Sequence, residues 1–360
     1  MLKKIDIYII KKFLSTFFFT LLLIICVIIV FDLSERLEEF IDKKAPLDAI
    51  LFDYYLNYIP YLANMMSPLF IFISVIFFTS KMASNSEIVA ILSSGVSFKR
   101  LLRPFLICAI ILSGLSYFFN NFLIPDANKK RIAFEELYYR NKLRNYSQNI
   151  HMKIDESTFI YMSNFVVDLN LGNNFSIERF NENGELEYKL LSDNVKWDSV
   201  SNKWSITNYT ERYIDGLQES IKKGIKKDTL INLRPEEFKR RNNYVTTMNF
   251  FELNDFIEEQ TFKGSQQIVN FELERQQRSS YPFATIILTL IGVSVSSRKV
   301  RGGIGLHIGI GLLISFAYIL FMQISSTFAL NSGVPPIIAV WIPNFIFGSL
   351  SIYLLKKAPK

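Results

Sequence analysis

The sequence predicts a membrane α-helical bundle of six transmembrane helices, arranged 3+3 around an inserted all-β domain. Three observations carry this. Long charge-free stretches fall in two groups, the segment between them reads as short β-type runs and turns, and excess positive charge falls on alternate connections. The composition agrees. Of 360 residues, 50% are hydrophobic, 33 are Phe and only 20% are charged, too little polar side chain to clothe several soluble cores.

The spans follow in order. Phe13 to Phe31 gives 19 residues without an ionisable group, Tyr54 to Ser80 gives 27, Pro104 to Ile124 gives 21 and Tyr281 to Ser297 gives 17. Gly302 to Leu355 gives 54, with His307 as its one residue among Asp, Glu, Lys, Arg and His. A helix needs about 20 apolar residues to cross roughly 30 Å of hydrocarbon. The last run is therefore two spans, turned at Asn331, Ser332, Gly333, Pro335 and Pro336. The first span has the basic start of a signal peptide (Lys3, Lys4, Lys11, Lys12). Its apolar part is too long and ends in Val30-Phe31-Asp32, so it is read as retained. The expected organisation is 1–125 for the first three helices, 126–280 for the β domain with helical stalks, and 281–360 for the last three.

Charge orients the bundle. With the N-terminus cytoplasmic, the cytoplasmic pieces hold 14 basic residues, among them Lys81, Lys99, Arg100, Arg103, Arg298, Lys299 and Arg301, against Asp6 and Glu87 alone. The connection after the first span has 3 basic and 7 acidic residues, and the long insert has 23 and 24. The positive excess lies on one side, as for cytoplasmic loops. Both termini are then cytoplasmic, the insert is outside, and the basic balance says nothing of nucleic acid.

The insert, from about Asn149 to Thr247, alternates short β runs with turns: Phe159-Ile160-Tyr161, the turn Asn181-Glu182-Asn183-Gly184, Asn194 to Trp197, then Ser201-Asn202 and Trp204 to Thr207. That spacing reads as an antiparallel β-sandwich or open roll. Phe159, Tyr161, Val195, Trp197, Trp204 and Ile206 are the candidate inward residues. Helical stalks are expected over Asp126 to Arg144 and where Phe251, Leu253, Phe256 and Ile257 recur at helical spacing.

Several functions are disfavoured. There is no P-loop sequence, no H-E-x-x-H and no nucleophile–base pair. His151 and His307 stand far apart, and Cys26 and Cys108 fall within spans, so no metal, cofactor or catalytic residue is assigned. The spans hold no Asp, Glu, Lys or Arg of the kind that relays ions, so energy for transport must come from elsewhere. Gly305 and Gly309 form a small-xxx-small pair suited to close helix packing.

The turn between the second and third spans, residues 84–95, is the most informative short stretch. Ser84 and Glu87 have capping-box spacing, Ile88, Ile91 and Leu92 give an apolar face, and Gly95 is placed to end the helix. Such a helix suits docking into a groove on a soluble partner. The other reading is a helix lying on lipid, with Glu87 only capping.

These residues resemble a family. Ser86-Glu87-Ile88-Val89-Ala90, then Ser94-Gly95-Val96 and Arg100, is similar to the coupling-helix signature of the LptF/LptG (YjgP/YjgQ) permeases, the membrane subunits of the lipopolysaccharide exporter. Asp6-Ile7-Tyr8 is similar to the family's D-R-Y opening, with Ile7 for Arg. Leu123-Ile124-Pro125 with Asn128 and Arg131 resembles the exit from the third span. Gly333-Val334-Pro335-Pro336 is similar to the stretch before the last span and leans to the LptG side. The resemblance covers essentially the whole chain.

It implies a Gram-negative inner-membrane permease subunit that is not itself an enzyme. It would pair with an LptF-like second subunit above an LptB-like ATPase dimer, and the helix from Ser84 to Leu92 would dock on that ATPase through Glu87. It further implies a cavity lined by the first and fifth spans, here Phe13 to Phe31 and Ile304 to Phe328. A periplasmic jellyroll would pass lipopolysaccharide acyl chains to LptC- and LptA-like bridge proteins. Phosphates of the lipid call for cations at the outer surface: Arg36, Lys43, Lys44, Lys129, Lys130 and Arg131 are the candidates, with solvated surface charge as the plainer reading of each. The first span departs from some relatives by ending in Ile29, Asp32, Glu35, Glu38 and Glu39 where they place Lys. The alternative is a membrane-anchored sensor or scaffold whose β domain binds a ligand; a lipid-acting membrane enzyme is disfavoured for want of a catalytic constellation.

Overall fold

The computed structural model describes residues 3–138, 148–239, 242–265, 267–297 and 303–358. In chain order, α1 (Lys4–Asp42) is followed by a short α2 (Leu47–Ala49) and a π-helical stretch (Ile50–Tyr55) that runs into α3 (Leu56–Ser84). Next come α4 (Glu87–Ser93) and α5 (Phe98–Phe118), then a second π-helical stretch (Phe119–Leu123) continuing as α6 (Ile124–Tyr138). The insert holds β1 (Gln148–Lys153), β2 (Thr158–Val166), β3 (Leu171–Phe180), β4 (Leu186–Asp198), β5 (Lys203–Asp215) and β6 (Gln218–Thr229). It is followed by α7 (Glu236–Lys239), α8 (Phe250–Phe262), α9 (Ile268–Ser296), α10 (Gly303–Asn331) and α11 (Pro336–Lys357). The entry stalk was expected to reach Arg144. α6 is described as far as Tyr138, and the rest of that stalk falls in 139–147, which lie outside the described residues, as do Arg298, Lys299 and Arg301 of the charge argument.

The chain forms two compact units, one of Met1–Arg140, Thr246–Phe251 and Val269–Lys360, the other of Asn141–Val245 and Glu252–Ile268. Among the described residues of the first, six helices are long and apolar enough to cross a membrane. α1 has 39 residues, about 58 Å at 1.5 Å per residue and well beyond the hydrocarbon thickness. Its buried stripe, Ile9, Phe13, Phe17, Leu21 and Ile25, recurs every four residues and packs with Ile71, Val75, Met82 and Phe105 of α3 and α5. A second core joins Phe72 and Ile76 of α3 to Leu288 of α9, Tyr318 of α10 and Val340 of α11. Gly333, with φ +67°, makes the turn before Pro336 opens α11. Helix packing here runs through a glycine other than the pair the sequence picked out. A Cβ on Gly311 would run into Ile76, whereas Gly305 and Gly309 face open space. A four-residue repeat fixes that two glycines share a face, but not which face the chain itself covers.

The second unit contains one six-stranded antiparallel meander, β1 to β6 in sequence order. Among the described residues no second sheet stacks on it, which favours the open roll over the sandwich of the two expected forms. The expected turn at Asn181 to Gly184 links β3 to β4, with Gly184 at φ +80°. A row of Asn crosses the sheet: Asn164 pairs with Asn173, Asn173 with Asn194, and Asn194 with Thr207. Beside it Asn174 and Asn208 have φ +49° and +51°, a conformation Asn tolerates better than most residues. The buried parity of the strands changes across this row, from Ile160 and Met162 to Phe165, from Leu190 and Ser192 to Val195, and from Glu211 to Ile206 and Trp204. All the apolar ones share one core, where Trp204 donates from Nε1 to the Leu233 carbonyl at 2.9 Å. Val195, Trp204 and Ile206 are inward as expected and Trp197 is half-buried. Phe159 is 40% exposed, and Tyr161 lies beside it on the opposite face from Ile160 and Met162. Strand parity overrides side-chain type there.

Candidate functional site

The 84–95 segment is built differently from the sequence expectation. Ser84 is the last residue of α3, so it caps nothing; Ser86 precedes α4 in a left-handed conformation, φ +61°, with no side-chain cap bond. α4 then runs Glu87–Ser93, and Gly95 with φ +86° breaks the chain before α5, as its position suggested. Ser-x-x-Glu spacing did mark a helix boundary here, but α3 persists through the expected cap.

The apolar face of α4 is already occupied. Ile88 is 1% exposed, and Ile91 and Leu92 pack beside it against the core formed by Phe13, Met82 and Phe98. What α4 presents outward is Val89, 57% exposed, with Ala90, Ser93 and Ser94. Its acid is held at the edge of that surface. Glu87 accepts from the Tyr8 hydroxyl at 3.3 Å and from Asn85 Nδ2 at 3.1 Å. Two residues earlier on α1, Asp6 accepts from both arms of Arg100, at 2.7 Å and 2.5 Å, and from the Lys3 backbone N–H at 2.7 Å. The start of α1 is thus tied to the first residue of α4 through Glu87 and to the first turn of α5 through Arg100. Sequence reasoning did not assign Asp6, Tyr8 or Arg100 to this site, although all three lay in the stretches that carried the resemblance.

The six cationic candidates separate into two kinds. Arg36 donates to Asp32 at 2.7 Å and sits 5.6 Å from the Tyr54 ring, while Tyr54 and Tyr55 hydroxyls donate to the same carboxylate at 3.1 Å and 3.3 Å. Arg131 lies 5.0 Å from the rings of both Tyr58 and Tyr61 and 3.6 Å from Glu135. These two are engaged inside the bundle. Lys43, Lys44 and Lys130 are exposed, and Lys129, also exposed, reaches Asp126 at 3.1 Å. Phe40 stacks edge-on against Phe134 at 5.7 Å, placing the end of α1 and α6 at the same end of the bundle.

Large apolar side chains on α1 and α10 point away from the bundle. Phe19 and Leu22 are 66% and 64% exposed, and Leu313 of α10 is 70% exposed. Among the described residues, no group of three or more His, Cys, Asp and Glu converges on a point that would hold a metal.

The family model described as "Lipopolysaccharide export system permease LptF/LptG" matches residues 7–357. The chain belongs to the LptF/LptG permease family. It is 21% identical over 357 residues to the lipopolysaccharide export system permease protein LptG of Escherichia coli strain K12, covering 98% of each chain. The same values hold for LptG of Escherichia coli O6:H1 strain CFT073. Six bilayer-length helices with an antiparallel sheet between the third and fourth suit an LptF/LptG permease, a multi-pass transport subunit rather than an enzyme.

Proposed function

We propose that this chain is the LptG-like permease subunit of an ATP-driven exporter that draws lipopolysaccharide from the inner membrane and hands it to a periplasmic protein bridge. In this reading both termini and α4 are cytoplasmic and the β domain is periplasmic. An LptF-like subunit covers the exposed apolar faces of α1 and α10, and lipid is held between the two subunits. Six crossings return the chain to its starting side, and the positive charge of the short connections supports that side being the cytoplasm.

The observation that carries the proposal is the α4 segment. Two left-handed residues, Ser86 and Gly95, bracket a two-turn helix whose inner face is anchored in the bundle and whose outer face, Val89 and Ala90, is bare. A surface of that size, edged by Glu87, suits a groove on a separate ATPase dimer. Motion imposed on it passes to α1 through Asp6–Arg100 and Tyr8–Glu87. Lys43, Lys44 and Lys130, with Lys129 beside Asp126, are the exposed cations this reading assigns to lipid phosphates.

The test is a pulldown of the tagged chain from native membranes in mild detergent, assayed for vanadate-sensitive ATP hydrolysis. Recovery of an ATPase and a second six-span protein, with the ATPase released by Glu87→Ala, is the expected result. A chain that emerges alone under conditions preserving other membrane complexes would overturn the proposal in favour of a sensor or scaffold.

A further inference from the structure

The β domain carries a groove of about 560 Å³ on the face of its sheet opposite the apolar core. One cross-strand row forms the floor: His151 of β1, Tyr161 of β2, Ser176 of β3, Leu191 of β4 and Thr210 of β5 stand side by side in register. Asn174 of β3 and Asn208 of β5, both left-handed, bend their strands along one side of that row and line the groove there.

Leu191 is 50% exposed although β4 is a central strand. Four polar side chains surround it. Ser176 and Thr210 are its cross-strand neighbours, and Lys189 and Asp193 are its same-face neighbours along β4. The Ser176 and Thr210 hydroxyls make no hydrogen bond among the described residues, and neither oxygen is sealed from the surface. Each can donate or accept. Asp193 accepts from Asn208 Nδ2 at 3.0 Å through one carboxylate oxygen and has the other to spare. Lys189 reaches Glu178 at 2.7 Å. With Lys223, which follows Thr210 in the row, the charges balance: Lys189 and Lys223 against Glu178 and Asp193.

An apolar centre inside a ring of hydrogen-bonding groups, with no net charge, matches one face of a pyranose ring. The sugar's C–H bonds point down from that face and its hydroxyls point outward. Ser176 and Thr210 are two strand spacings apart, about 9.5 Å, which leaves room for one sugar ring with a hydrogen bond at each side. Beyond Ser176 the Tyr161 ring lies against His151, with centroids 4.7 Å apart, and adds a flat surface for more of a glycan. An acyl chain needs a continuous apolar trough, which the polar ring interrupts. An extended peptide needs an unpaired strand edge, and β3, β4 and β5 are paired on both sides.

We propose that this groove binds a neutral saccharide, with one hexopyranose ring over Leu191 between Ser176 and Thr210 and the glycan continuing toward Tyr161. The sugar part of an exported glycolipid and a separate neutral glycan share this chemistry. The inference does not rest on the exporter reading.

The test uses the full chain with its co-purifying partners in phosphatidylcholine nanodiscs free of sugar-headed detergent. The probes are maltotriose, mannotriose and globotriose, neutral trisaccharides of differing ring configuration. At least one is expected to give saturation-transfer NMR signals above those of empty nanodiscs. Ser176→Ala combined with Thr210→Val should weaken its binding about fivefold or more, the loss of two hydrogen bonds. Leu191→Ser, which removes the apolar centre at an exposed position, should weaken it to a similar degree and still decides should the double variant misfold. Val200→Ser, outside the groove and 93% exposed, should leave binding unchanged. No signal from any of the three probes, or signals unchanged in the groove variants, would overturn the proposal. So would equal competition by acyclic sorbitol, which would show that no ring is recognised, or tighter binding of glucose 6-phosphate than of methyl glucoside, which would remove the case for a neutral ligand. Competition by dephosphorylated core oligosaccharide released from lipopolysaccharide assigns the site to the cargo; binding of a trisaccharide without that competition assigns it to a separate glycan. None of these readouts depends on ATPase assembly, so this inference and the exporter reading fail separately.

Discussion

Asp6, near the start of α1, and Arg100, at the start of α5, form a two-point ion pair across 94 residues of sequence, with the carboxylate 2% and the guanidinium 23% exposed. Forked Arg–carboxylate geometry fixes orientation as well as distance. Arg100→Lys retains the charge but not the fork. It is expected to lower the melting temperature of the detergent-solubilised chain by about 3–5 °C and to reduce lipid export more than ATP hydrolysis. Equal loss of both activities would show that the pair serves folding alone.

Glu87 and Tyr8 give a sharper contrast. Their hydrogen bond is exposed and long at 3.3 Å, and such contacts contribute about 0.5–1 kcal/mol at most. Tyr8→Phe is expected to change ATPase co-purification less than about twofold, whereas Glu87→Ala releases the ATPase. Similar losses in the two variants would place the hydroxyl, not the carboxylate, at the docking surface.

Gly311 and Gly305 separate packing within this chain from packing against another. Gly311→Val drives a branched side chain into Ile76 and is expected to destabilise the isolated chain by about 1–3 kcal/mol, read as a lower melting temperature. Gly305→Ala and Gly309→Ala meet open space and should leave that temperature within about 1 °C. An effect of either on assembly with a second subunit alone would assign them to that interface.

The β domain carries a pH dependence. Burial pushes the Glu211 carboxyl up, but hydrogen bonds from Lys227 and Tyr188 outweigh it and hold the group below its ordinary value. The hydrogen bond to Glu211 raises the Lys227 ammonium above its own ordinary value, against a smaller effect of burial. A depressed carboxylate stabilises above its unfolded pKa and loses that contribution as pH falls through the folded value. A raised lysine stabilises below its unfolded pKa and loses that contribution as pH rises through the folded one. Hydrogen-exchange protection of β4 to β6 in the full chain should therefore be flat from about pH 5 to pH 10 and fall below about pH 4. Glu211→Gln should flatten the acid side, and an unchanged acid limb in that variant would assign the dependence to another group.

Much of this was legible in the sequence because it rests on one-dimensional properties. A stretch such as Tyr54 to Ser80, without a charge, has few places to go but a membrane helix, and its neighbours followed by the same logic. What failed depended on phase. Phe159 and Tyr161 look like core until the strand's parity is fixed by Ile160 and Met162. The Asn row then shifts that parity again, so no single alternation runs through β4 or β5. Ser84 and Glu87 have capping-box spacing, but α3 continues through Ser84 because the preceding run, Val75 to Ala83, still has core to pack against. Arg131 reads as a free cation because the Tyr58–Tyr61 pair beside it is ordinary until the helices are assembled, whereas the partner of Arg36, Asp32, stands four residues earlier on the same helix and was legible from that spacing.

The length of α1 has a mechanical consequence. Two buried aspartates, Asp6 and Asp32, clamp the same unbroken helix at two points, one to Arg100 and the other, beside its own-helix partner Arg36, to Tyr54 and Tyr55. They are 26 residues apart, about 39 Å along a rod with a rise of 1.5 Å per residue. A tilt of about 5° about the Asp6 clamp would swing the Asp32 clamp through about 3 Å, close to the diameter of a water molecule, with the apolar flank of Phe19 and Leu22 carried along between them. α1 can thus act as a stiff strut with two pivots, turning a small rotation at one membrane face into a lateral stroke at the other.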